Sequence, residues 1–225
     1  MGSFKSRRDS LLLQFLPCGF YCIFGKIAKQ LMRQAEKDLP LSLDEYLQLE
    51  KDRQQKYEYY DGYAYAMAGG SYAHNTIAGN LMLEVGVRLK GKSCQIMNSD
   101  TKLYLQTKNS YVYPDAMILC EQRREAEACK DAFTNPVVIF EVLSESTAGF
   151  DRGEKFRLYR QIDTLQHYVL LEQDVAKIDV YSRKNPTALW QIRTLEGLTE
   201  TLDLELPDDM SLAILLEDIY ARIFS

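Results

Sequence analysis

Between Pro136 and Leu143 the chain reads Pro-Val-Val-Ile-Phe-Glu-Val-Leu, and this stretch restricts the fold more than any other. A continuous apolar run of strand length, without the alternation of a half-exposed strand, describes a central strand covered on both faces. Layers must therefore lie on each side of the sheet that contains it. Glu141 sits inside the run. A lone carboxylate there is costly to bury unless it is paired or bound to a cation, so the position asks for a partner. A second acid, Asp115, stands in another strand-like run after Tyr113-Pro114, and Lys155 follows on a predicted helix.

The chain has 225 residues, enough for one substantial core, and its alternating helical and strand-like segments indicate an α/β or α+β domain. With 27 basic and 32 acidic residues the net charge is −5, so there is no overall cationic field to attract nucleic acid. A local patch of Arg152, Lys155, Arg157 and Arg160 is the candidate for phosphate contacts. Five cysteines, Cys18, Cys22, Cys94, Cys120 and Cys129, form no zinc-type framework and suggest reduced thiols in a cytoplasmic protein. The apolar stretch Leu11–Phe24 follows basic residues as in a signal peptide. It is interrupted by Gln14, Pro17 and Gly19 and is too short to span a bilayer. Residues 1–38 are accordingly expected to be an N-terminal extension, 39–225 the patterned domain, with no stable membrane association.

Within that domain, Ser42 and Glu45 form a capping box for a helix to about Asp52. Tyr57–Met67 reads as an aromatic hairpin turned at Asp61-Gly62. From His74 to Lys90 a helix carries Ile77, Leu81, Val85 and Leu89 on one stripe. Strands are expected at 94–97, 102–106, 112–119, 137–143, 167–171, 178–181 and 189–193. Residues 121–131 read as an exposed connection or short helix, 151–161 as a helix, and 211–224 as a terminal helix.

Magnesium takes hard oxygen ligands and retains several waters, so one or two carboxylates with a backbone carbonyl can hold it. Asp115, Glu141 and the carbonyl of Val142 meet that need, with Mn²⁺ as a substitute, and Lys155 could orient a water or stabilise a phosphate. The bland alternative makes the acids helix caps or arginine partners and Lys155 a solvated cation. A glycoside-hydrolase pair is a further alternative, but no aromatic platform accompanies the two acids and the chain has one tryptophan, Trp190.

These residues belong to a larger ordered set: Tyr57-Glu58-Tyr-Tyr-Asp61-Gly62, His74 opening a helix, Ser99-Asp100, Tyr113-Pro114-Asp115, Val138-Ile-Phe-Glu141-Val-Leu-Ser144, and Asp151-Arg-Gly-Glu-Lys155 with Tyr159. From about Leu41 to Tyr220 the chain resembles the Uma-type restriction endonucleases of the PD-(D/E)XK nuclease superfamily. The resemblance implies a restriction-endonuclease-like mixed β-sheet flanked by helices, Mg²⁺ dependence and hydrolysis of DNA phosphodiester bonds. A catalytically inactive nuclease-fold module that binds nucleic acid or protein is the alternative.

Leu143 stands where the superfamily's simplest motif has lysine. The family pattern supplies Lys155 from the next helix instead. It also places Glu58 near the metal cluster as an accessory acid. His74, with an unperturbed pKa near neutrality, is a candidate proton carrier, with a capping or phosphate-contacting histidine at the helix start as the alternative. Asp100 reads better as a turn residue, His167 as a packed one, and the tyrosines near residue 60 as cross-strand packing rather than base stacking. A homodimer is expected if both DNA strands are cut.

Overall fold

The computed structural model describes residues 40–51, 56–67, 69–120 and 122–224. The predicted extension, with its apolar stretch, Cys18 and Cys22, lies outside these. The first helix, α1 (Leu43–Lys51), begins with the predicted box: Ser42 N–H donates to Glu45 at 2.7 Å and Glu45 N–H donates back to Ser42 Oγ at 3.3 Å. Strands β1 (Tyr57–Tyr60) and β2 (Tyr63–Ala66) follow. Their turn has φ of 51° at Asp61 and 87° at Gly62, the left-handed pair that a two-residue hairpin requires. Helix α2 (Tyr72–Leu89) buries Ile77, Leu81, Val85 and Leu89, and Ser71 caps it by accepting from His74 N–H.

Next come β3 (Gln95–Asn98), β4 (Lys102–Leu105), β5 (Ser110–Val112) and β6 (Ala116–Leu119). The single strand expected over 112–119 is thus two strands, in different sheets. The break falls at Tyr113-Pro114-Asp115, where proline has no N–H to continue a ladder. The expected loop or short helix at 121–131 also differs: β7 (Glu125–Ala126) pairs with β8 (Cys129–Phe133) through a bulge. Strand β9 (Val138–Val142) is buried throughout.

A helical run over 148–159, called α3, combines Ala148–Phe150, a π-helical turn Asp151–Lys155 and Phe156–Tyr159. It leads to β10 (His167–Leu171), β11 (Lys177–Ser182) and β12 (Gln191–Glu196). The terminal helix is shorter than expected. Met210–Leu215 is a strand, β14, paired with β13 (Thr201–Leu206), and only α4 (Leu216–Ile219) is helical. Alternation decided this: Leu202, Leu204 and Leu206 face Leu212 and Ile214 on one buried side.

One sheet runs β2-β1-β5-β4-β8-β7 and the other β12-β11-β10-β9-β6-β3, with β13-β14 apart. In the second sheet β9 and β10 are parallel and the remaining pairs antiparallel. Residues of β9 and β10 alternate between two cores. Val138, Phe140, Val142, Val169 and Leu171 join α2 and the β13–β14 hairpin, while Ile139, Leu143, Tyr168 and Leu170 meet Leu103, Val112 and Leu158 on the other face. Glu141, by parity, faces this second side.

Cys94 and Cys120 form a disulfide, contrary to the reduced-thiol expectation. The pairing Gln95↔Leu119, extended by one residue, sets them opposite one another across β3 and β6. Cys129 is free and half-buried.

Candidate active site

Asp115 and Glu141 reach one place because of strand register. Ala116 pairs with Phe140, and this register, continued past the end of β6, would bring Asp115 to Glu141 and Pro114 to Val142. Proline offers no N–H to the Val142 carbonyl. The Val142 N–H, on the same side of the strand, donates to Asp115 Oδ2 at 2.7 Å. Asp115 therefore leaves the strand ladder and ties its carboxylate to the end of β9.

Glu141 is 3% exposed and accepts two hydrogen bonds at Oε1, from Lys155 Nζ and Tyr159 OH, each at 3.0 Å. Lys155, the lysine expected in place of Leu143, is thus delivered to the acid by α3. Its Nζ also lies 3.0 Å from Asp151 Oδ1. Leu143 instead packs in the adjoining apolar core. Burial drives the Glu141 carboxyl up to about 8, opposed by the charge of Lys155 and reinforced by that of Asp115. Burial also acts against the Lys155 ammonium, but Glu141, with Tyr159, Glu58 and Asp151, outweighs it and holds the lysine charged.

His74 stands at the first turn of α2 with Nε2 3.1 Å from Asp115 Oδ2. That hydrogen bond raises its pKa against the opposing effect of burial. A Cβ on Gly70 would come within 2.7 Å of His74 Nδ1, so glycine there lets the ring lie close to the backbone. Glu58, half-buried on β1, accepts from Tyr113 N–H at 3.2 Å and makes no hydrogen bond with Lys155 among the described residues. Its place is the rim of the cluster, near enough for its charge to act on Lys155.

Two participants were not singled out as site residues from sequence: Asp151, 2% exposed, and Tyr159, fully buried. Their signal was spacing, because Asp151, Lys155 and Tyr159 recur every four residues and share one helical face. Asp100 pairs with Lys56, and His167 bonds Ser182 Oγ and the Glu205 carbonyl; both lie outside the site. The proposed phosphate patch is corrected. Arg152 is engaged with Glu172 and Asp179, Lys155 with Glu141 and Asp151, and Arg157 with Glu154, which leaves Arg160.

Among the described residues, hydrogen bonds reach Oδ2 of Asp115 and Oε1 of Glu141 but not their other oxygens. No group of three or more His, Cys, Asp or Glu among those residues forms a ready-made metal cage. The donor set suits a hard divalent ion that needs two carboxylates and a carbonyl and keeps its waters, and it does not suit a closed zinc site.

The family model described as "Uma2: Putative restriction endonuclease" matches residues 43–215. The chain belongs to this Uma2 family. "Uncharacterized protein slr1290" from Synechocystis sp. (strain ATCC 27184 / PCC 6803 / Kazusa) is 38% identical over 165 residues, covering 73% of this chain and 85% of that protein. "Uncharacterized protein sll1609" from the same organism is 36% identical over 157 residues, covering 70% and 88%. A crystal structure described as "a putative nuclease belonging to DUF820" from Anabaena variabilis ATCC 29413 superposes with a TM-score of 0.61 at 16% identity. It covers 81% of this chain and 98% of its own. This Uma2 chain therefore has the restriction-endonuclease-like fold that the resemblance implied.

Proposed function

We propose that the protein is a Mg²⁺-dependent endonuclease that hydrolyses DNA phosphodiester bonds. The observation that carries this reading is the meeting of Asp115 and Glu141 at adjoining strand ends with the Lys155 ammonium on Glu141. Family membership and the fold's likeness to the structure described as "a putative nuclease" support it.

Asp115, Glu141 and the Val142 carbonyl would hold the ion. Bound there, it would lower the pKa of a coordinated water and offset charge on the scissile phosphate. Lys155 presents donors to a phosphate oxygen or the attacking water, in surroundings that keep it charged. His74, held by Asp115, is placed to take up or release a proton at its ring. Glu58 adds negative charge at the rim.

The test is incubation of supercoiled plasmid, branched DNA and RNA with purified protein, in Mg²⁺ or Mn²⁺ and in chelator. Metal-dependent nicking or linearisation that is lost in both Asp115→Ala and Glu141→Ala is expected, and equal cutting by these variants removes the assignment. The alternative of an inactive binding module takes the buried Lys155–Glu141 pair as a structural contact between α3 and β9. Under that reading, calorimetry records DNA or partner binding with no metal uptake.

A further inference from the structure

We infer that Asp151 is a positioning residue for Lys155, the acceptor that keeps this ammonium in the site when a divalent cation draws on Glu141. The inference rests on the endonuclease reading above. Lys155 Nζ is 3.0 Å from Glu141 Oε1 and 3.0 Å from Asp151 Oδ1. Only the contact with Glu141 is a hydrogen bond; Asp151 Oδ1 is buried and has no hydrogen-bond partner.

The Asp151 carboxylate is thus paired in charge with Lys155, while its buried Oδ1 retains room for an aligned donor. Here it lies beside an ammonium with three rotatable donors. Glu141 is contested, because Lys155 and Tyr159 already share its Oε1 and a second positive charge drawn to its carboxylate would repel the lysine. Among the described residues no carboxylate other than Glu141 and Asp151 lies within ion-pair distance of Lys155, so without Asp151 the displaced ammonium would leave toward water and the site would hold a cation but lose its lysine.

The backbone fixes this acceptor. Tyr168 OH donates to the Asp151 carbonyl at 3.0 Å and Asp151 N–H donates to the Thr147 carbonyl at 2.9 Å. The π-helical turn Asp151–Lys155 aligns its first and last residues on one side of the helix. Asp151 also lies close enough to act electrostatically on Glu141 and His74, which ties it to the same charge cluster.

The experiment compares the full chain with Asp151→Asn, Lys155→Met and the double variant, using calorimetric Mn²⁺ binding, plasmid cleavage and the nitrogen-15 resonance of the Lys155 ammonium. Asp151→Asn is expected to bind Mn²⁺ within about threefold of the parent while cleaving about 10- to 100-fold more slowly. Saturating Mg²⁺ should leave the ammonium resonance visible in the parent and lose it to water exchange in Asp151→Asn. Adding Asp151→Asn to Lys155→Met should change neither binding nor residual cleavage. Parental cleavage by Asp151→Asn, or loss of Mn²⁺ binding when Asp151→Asn is added to Lys155→Met, overturns the inference and leaves the endonuclease reading standing. Absence of Mn²⁺ binding by the parent overturns both. If Asp151→Asn alone does not fold, a folded double variant supports the coupling to Lys155 and an unfolded one overturns it.

Discussion

At the scale of single residues, the site is a balance of buried charges. Replacing Lys155 with methionine removes the cation from Glu141, whose carboxyl, already driven up to about 8 by burial, would then take up a proton; stability should fall by about 1–3 kcal/mol, measured by denaturant unfolding. Tyr159→Phe removes one hydrogen bond to a charged acceptor and should lower stability by about 1.5–3 kcal/mol, with cleavage reduced but present. The two histidines of the chain are expected to titrate on opposite sides of about 6.5. His74 is raised by its hydrogen bond to Asp115, and His167 is lowered by burial against its bond to the Glu205 carbonyl. Proton NMR of the imidazoles checks this directly. Because the folded pKa of His167 lies below its unfolded value, the unfolded chain takes up its proton first as pH falls. Its contribution is therefore intact above about 6.5 and declines below, and His167→Gln should flatten the acid limb of stability against pH. Asp115 and Glu141 were legible from sequence because charge within apolar strands is conspicuous. Asp151 and Tyr159 were not, since an acid and a tyrosine on an amphipathic helix are commonplace until the helix is docked.

At the scale of elements, β6 and β9 make the site by register, and α3 completes it. Removing the Ser71 cap with Ser71→Ala should lower stability by about 1 kcal/mol and loosen the first turn that carries His74, which hydrogen exchange at residues 72–75 would detect. Local chemistry made the α1 capping box, the Asp61-Gly62 turn and the α2 stripe readable before any tertiary contact was known. Where tertiary contacts decide, the reading failed. Pro114 divides what reads as one strand because the chain passes there from one sheet to the other, and Asp115 owes its position to that crossing. The β13–β14 hairpin was missed because Leu212, Leu215, Leu216 and Ile219 also fit a helical stripe. Leu202, Leu204 and Leu206, which supply the partner strand, are remote from a helix-sized window. Asp208 and Asp209, with φ of 59° and 55°, form its turn without the glycine that usually announces one.

At the scale of the whole molecule, a net charge of −5 gives no overall cationic field for DNA, and Arg152, Lys155 and Arg157 are paired with acids beside the site. Cleavage should therefore depend on the bound cation to admit phosphate, and the site carries several acids in excess of its one lysine. The Cys94–Cys120 disulfide closes a segment of separation 26, and its reduction should cost about 3.5 kcal/mol in unfolding free energy on a chain-entropy basis. Cutting both strands of a duplex calls for two sites, so light scattering is expected to record a dimer on DNA. No described helix is long and apolar enough to cross a membrane. The proposed function requires Asp115 and Glu141 to form a cation-dependent cutting site. Its most direct test is the conversion of supercoiled plasmid to nicked and linear forms by the parent protein and by Glu141→Gln, both in Mg²⁺ and both verified as folded. Conversion by the parent and none by the variant is expected; equal conversion by both would rule out the cutting site.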